Sequence, residues 1–209
     1  MIDKTPSSVS KIRFSDCDMF GHLNNSRYLD YLQDAREDHL KHSHGFDVQK
    51  YYQNDLGWVV GNHEISSLKP AFYNEMVKIK SSLLVVENDH LVYESMMMNE
   101  HEAHLKTIMR TKMIPINIKT GKRVEHQSDF MEWAKTLENL DVNRTLTLQA
   151  RCEEILTEMK TRVDALYYMK NPLSENYTGD FLFFTLIGVF LSCLLFVPLL
   201  PETFLCRVL

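Results

Sequence analysis

A single long amphipathic helix precedes a series of strand-like runs joined by short turns, and that order leaves few architectures open. Asn24-Asn25-Ser26 is a good helix start, because Asn and Ser side chains accept hydrogen bonds from the free N–H groups of a first turn. Beyond it Tyr28, Leu32, Ala35 and Leu40, with Tyr31 beside them, recur near helical spacing with charges opposite, and Gly45 supplies a stop. The spacing predicts a helix over Asn25–His42. Ahead of it, Lys11–Asp16 alternates in part and suits a short strand, and Asp18–Leu23, containing Gly21, reads as a turn. After it, Trp58–Leu68, Met76–Glu87, Leu91–Met98 and His104–Ile118 read as strands, punctuated by Lys69-Pro70, Asn88-Asp89, Asn99–Glu102 and Thr120-Gly121. Successive strands with short turns indicate an antiparallel sheet, so the class is α+β. Beyond Phe130 the pattern returns to helix. Phe130, Trp133, Ala134 and Leu137 can cap the sheet, and Leu148, Cys152, Ile155, Met159, Val163 and Leu166 form one apolar stripe for the body or for a partner chain.

The 209 residues fit one domain, or one domain plus an appendage. A net charge of −5 offers no electrostatic footprint for nucleic acid. Four cysteines without a CxxC pair fit a reducing compartment rather than a disulfide scaffold. No apolar run occupies Met1–Lys11, so no secretory signal is expected. One stretch departs from the average: from Phe181 to Pro201 no residue is charged. Three readings compete there: a C-terminal membrane anchor, a buried core or interface helix, or a tail not native to the domain, such as a translated frameshift. Lys160, Arg162 and Lys170 precede the run and only Arg207 follows, which in the anchor reading keeps the body in the cytoplasm. The expected location is cytoplasmic.

Chemistry concentrates in Phe14–Tyr31, FSDCDMFGHLNNSRYLDY. A carboxylate just before a helix start is well placed for acyl transfer. Asp18 is a candidate base or nucleophile, and the helix N-terminus presents free N–H groups at a positive dipole end, where an oxyanion would develop. His22 can orient substrate, hydrogen-bond the carboxylate or assist proton transfer. The stretch resembles the signature of the hotdog-fold thioesterases, in the 4-hydroxybenzoyl-CoA thioesterase-like branch, whose pattern D-x-D-x-x-G-H-x-N-N-x-x-Y is met by Asp16, Asp18, Gly21, His22, Asn24, Asn25 and Tyr28. Leu68-Lys69-Pro70-Ala71 resembles the family's apolar-x-Pro-Ala turn, with Asn74-Glu75 where a Gly-Asp is usual. The resemblance implies that the N–H seven residues after the aspartate, that of Asn25, polarises the thioester carbonyl. Plant acyl-carrier-protein thioesterases, which are similar, place an Asn two residues after the Asp. Phe20 stands there, so the Asp-centred route is the one implied.

Neighbouring residues admit blander roles. Asp18 can cap a turn, and Asp16 is expected as a structural hydrogen-bonder sharing a strand face with Asp18. Gly21, Asn24 and Tyr28 complete the candidate substrate-binding set, although by type alone Asn24 is the N-cap and Tyr28 helix packing. Cys17 is expected to point away from both aspartates. His39, His42 and His44 lack a Cys or carboxylate to complete a zinc-type set and read as a solvated helix end. His63 and Glu64 can line a cleft, and Met96, Met97 and Met98 fill core or interface.

The resemblance implies a hotdog fold over 8–135, an antiparallel sheet wrapped around the Asn25–His42 helix. A helical extension or linker follows over 136–175, with the apolar tail at 181–201. It implies a thioesterase acting on an acyl-CoA or acyl-carrier-protein thioester, needing no cofactor and no metal, and a homodimer or homotetramer whose sites form between subunits. Two rivals stand beside it: a non-catalytic acyl-CoA-binding module, and a membrane-tethered dimerisation scaffold.

Overall fold

The computed structural model describes residues 2–170; the apolar run at 181–201 lies outside them. Among the described residues no helix is long and apolar enough to cross a membrane. In chain order the elements are β1 (Ser7–Lys11), a 3-10 turn (Phe14–Asp16), α1 (Asn25–His42), α2 (Val48–Tyr52), β2 (Leu56–Ser67), β3 (Met76–Glu87), β4 (His90–Asn99), β5 (Leu105–Asn117), α3 (Ser128–Leu137) and α4 (Leu148–Lys170).

The five strands form one antiparallel sheet in the order β1-β3-β4-β5-β2. The β3–β4 hairpin turns on Asn88-Asp89, with Glu87 opposite His90. Strand alternation then gives the sheet two distinct apolar faces. Val77 and Ile79 of β3, Met97 of β4 and Met109 of β5 pack against Tyr28, Leu32 and Ala35, the buried stripe of α1. Facing the other way, Met98, Leu105 and Ile108 pack against Leu148, Cys152, Ile155 and Met159 of α4. The sheet is therefore covered on both faces. A buried carboxylate fastens the second layer: Glu94, 1% exposed, lies 3.0 Å from Arg110 Nε and 3.2 Å from Arg151 Nε of α4.

Two expectations change. The strand expected at Lys11–Asp16 lies earlier, at Ser7–Lys11. Pairing ends once Ile12 N–H donates to Glu75 O (2.9 Å), and the chain then winds into the 3-10 turn. Asp16 and Asp18 thus do not sit on one strand face. The helix end at His39–His44 is not simply solvated, because His39 is buried with Nδ1 2.7 Å from Ser81 Oγ. His42 and His44 instead meet the carbonyls of Asp38 and Asp3. Among the described residues no three such side chains gather as a metal site.

Three histidines in the body are set against protonation. Desolvation lowers the pKa of His39, of His63 and of His126; the Arg36 charge adds to it at His63. His126 is held as a neutral ring, since Nε2 accepts from Trp58 Nε1 (2.9 Å) while Nδ1 lies 2.8 Å from the Glu87 carbonyl. With folded pKa values below the unfolded value of about 6.5, the unfolded chain binds more protons. Stability is then complete above about pH 6.5 and falls as pH drops through the folded values. Thermal melts between pH 8 and pH 5 should show the melting temperature declining below about pH 6.5. A flat profile across that window would contradict the burial of these rings.

Candidate active site

The loop from Asp18 to Leu23 is built by backbone hydrogen bonds, and these aim the side chains. Asp18 N–H donates to His22 O (2.8 Å) and Gly21 N–H to Asp18 O (3.0 Å), which closes the turn. Gly21 adopts φ +76°, a left-handed conformation that favours glycine. Its carbonyl accepts from Tyr73 N–H (2.9 Å), and Leu23 N–H donates to Ala71 O (2.8 Å), so the Pro70–Tyr73 turn is strapped beside the loop. Tyr28, buried in α1, accepts from Ala71 N–H at 2.9 Å. That geometry gives Tyr28 the work of positioning the second turn.

Asp18 itself is exposed. Its Oδ1 accepts from Phe20 N–H (2.9 Å) and His22 N–H (3.1 Å). Oδ2 has no partner among the described residues and is the oxygen available for chemistry. Asp16 is engaged differently: Tyr31 donates to its Oδ2 at 2.9 Å and Arg27 Nε lies 3.8 Å from Oδ1. Asn24 caps α1 by accepting from Ser26 N–H (3.2 Å), and its own N–H donates to Asp16 O (2.9 Å). The next N–H, that of Asn25 at the first position of an 18-residue helix, meets no acceptor among the described residues. A free carboxylate oxygen and a free N–H at the positive end of a helix dipole thus flank one short loop. The His22 ring lies edge-on to Phe72, centroids 5.0 Å apart, with Phe20 at 6.4 Å. Met19 and Phe20 beside Asp18 are 89% and 75% exposed, an apolar rim that is large for a lone chain.

Cys17 is quiet for a reason other than strand alternation. Its thiol donates to Arg13 O at 3.3 Å, and desolvation, then the charges of Asp16 and Asp18, push its pKa up, away from thiolate. His63 spends Nδ1 on Thr111 Oγ1 at 2.9 Å. Sequence reasoning missed Lys106, and met Glu75 only as a departure from the family's turn; the two form an ion pair at 2.8 Å beneath the second turn. Lys106 also donates to Pro70 O (2.8 Å) and Glu75 accepts from Phe72 N–H (2.9 Å). Glu75 stands where the resembling family's turn usually carries an Asp, and that substitution was the available signal.

Over 122 residues, 58% of this chain and 91% of the relative, the sequence is 27% identical to the long-chain acyl-CoA thioesterase FadM of Escherichia coli. Among solved structures, the probable thioesterase YbaW of Escherichia coli is 25% identical with a TM-score of 0.56, the match covering 64% of this chain and 98% of that one. The DHNA-CoA thioesterase of Staphylococcus aureus shares the fold at 22% identity and a TM-score of 0.59, over 64% of this chain and 90% of its own. Residues 12–134 match the thioesterase-like superfamily over the whole span from β1's exit to α3, loop and sheet included, and the chain belongs to that superfamily.

Proposed function

We propose that the protein hydrolyses acyl-CoA thioesters to the free acid and thiol through an Asp18-centred mechanism. The observation that carries this is that the Asp18–Asn25 stretch holds both a free Oδ2 on Asp18 and an unengaged N–H on Asn25. The acyl carbonyl oxygen accepts from Asn25 N–H, where the α1 dipole favours developing negative charge. Asp18 Oδ2 then takes a proton from water as the water oxygen bonds to the carbonyl carbon, or bonds to that carbon itself. Collapse breaks the C–S bond, and the pantetheine sulfur leaves as thiolate and is protonated. In the second route a mixed anhydride on Asp18 remains, and water hydrolyses it. His22 faces the same loop and is assigned to orienting the substrate; Gly21, Asn24 and Tyr28 hold the loop that receives it.

The working unit in this proposal is a homodimer. β2 is an edge strand of 12 residues with Val59, Val60 and Ile65 exposed, and a second copy pairing antiparallel along it would satisfy that edge. Such pairing sets the Trp58 end of one β2 beside the Ser66 end of the other. Release of free thiol from a panel of short, long, branched and aromatic acyl-CoAs tests the activity. Turnover on at least one member is expected. Binding of acyl-CoA without turnover by folded protein would overturn the hydrolase and favour the binding module.

A further inference from the structure

On the α1 side of the sheet, flanking the last turns of that helix, lies a cavity of about 400 Å3, a volume typical of small-molecule sites. Trp58, Tyr93, Met113, Phe130 and Trp133 line it, and so does Arg36. A guanidinium in such company is unusual, because its partners here are weak. It lies 5.6 Å from the Tyr93 ring centroid and 3.4 Å from the Met113 sulfur, a poor acceptor. Its Nε is buried and has no hydrogen-bond partner among the described residues. Two acids border the cavity without neutralising it: Asp47 Oδ1 is held by Gln49 N–H at 3.0 Å, and Glu37 is solvent-exposed. A desolvated N–H left unpaired is costly, and the planar fork of an arginine fits a carboxylate. The aromatic walls fit an apolar body.

We propose that this cavity binds an apolar carboxylate, with the carboxylate on Arg36 and the apolar body among Trp58, Phe130 and Trp133. Arg36 is eleven residues beyond Asn25, about 16 Å along the helix, so in one chain this site is separate from Asp18. Its use in catalysis rests on the thioesterase reading and on β2 self-pairing, which would bring the Trp58 end of one copy toward the α1 start of the other. Two sources can supply the ligand: the free acid product, or the far carboxylate of a dicarboxylic acyl group.

The chain has two tryptophans and both line the cavity, so intrinsic fluorescence of the full-length protein reads occupancy. Decanoate should bind at least about tenfold more tightly than decan-1-ol, Arg36→Gln should erase that preference, and Arg36→Lys should keep part of it. Equal binding of the two probes, binding of neither, or a preference that survives Arg36→Gln overturns the proposal. Turnover then separates the sources. If the site reads the distal end of the acyl group, decanedioyl-CoA is hydrolysed with a kcat/KM about tenfold above decanoyl-CoA, and Arg36→Gln removes the advantage. If it takes the free acid, decanoate inhibits both thioesters alike, and Arg36→Gln relieves the inhibition. An Arg36→Gln enzyme altered in neither respect overturns the link to catalysis. Failure to turn over any thioester would sink the hydrolase reading alone, because the fluorescence result stands without it.

Discussion

Replacing Asp18 with Asn should lower kcat for thioester hydrolysis by about 10²- to 10⁴-fold while leaving the melting temperature nearly unchanged. The two effects separate because the carboxylate oxygens do different work. Oδ1 receives the Phe20 and His22 N–H groups, and the amide oxygen of Asn can receive them equally well. Oδ2, which holds no partner among the described residues, becomes an NH2 that can neither take a proton from water nor attack a carbonyl. Thiol release and thermal melting on the same preparation provide the readout. Turnover within about threefold of the parent would remove Asp18 from the chemistry and leave it a turn cap. In a single turnover in ¹⁸O water, label found in the Asp18 carboxyl would identify the nucleophilic route. Label confined to the released acid is the outcome of the base route and equally of an anhydride opened at the acyl carbon, and trapping of the anhydride by hydroxylamine separates those two.

Asn25→Pro should cost about 10²- to 10³-fold in kcat, the range for losing one oxyanion donor, whereas Asn25→Ala should cost little. Proline at the first helical position removes an N–H that makes no intrahelical bond and keeps a helical φ. The preceding Asn24 has φ −61° and ψ 140°, the extended conformation that a residue before proline prefers. The substitution therefore deletes the proposed donor with little disturbance of α1, and Asn25→Ala controls for the side chain. Equal activity in the two variants would show that the donor is elsewhere.

Much of this arrangement is legible in the amino-acid order. The helix over Asn25–His42 falls where apolar spacing and the Asn24 cap place it, and β3 occupies Met76–Glu87 as its alternation and turn signals indicate. What escaped has physical reasons. β1 reads SSVSK, a segment with little apolar alternation that joins the sheet through backbone pairing at an edge. The five residues of α2 are too few for any period to register. His39 reads by sequence as part of a solvated helix end and Arg36 carries no sequence signal, yet both point toward the sheet side. Their environment is made by residues far along the chain, such as Ser81, Tyr93 and Met113. The cavity is invisible for the same reason, since its walls come from six separate elements, α1, α2, β2, β4, β5 and α3, and the loop between α1 and α2.

The match to the family ends at residue 134, whereas α4 begins at Leu148. The layer over Met98, Leu105 and Ile108 is thus supplied from outside the family match. With that helix in place the outer strand positions need not be water-compatible, and Glu94 is held between Arg110 and Arg151. Taking α4 away would bare Met98, Leu105 and Ile108 together and leave Glu94 with Arg110 alone. The helix is therefore obligatory for this sheet rather than an accessory to it.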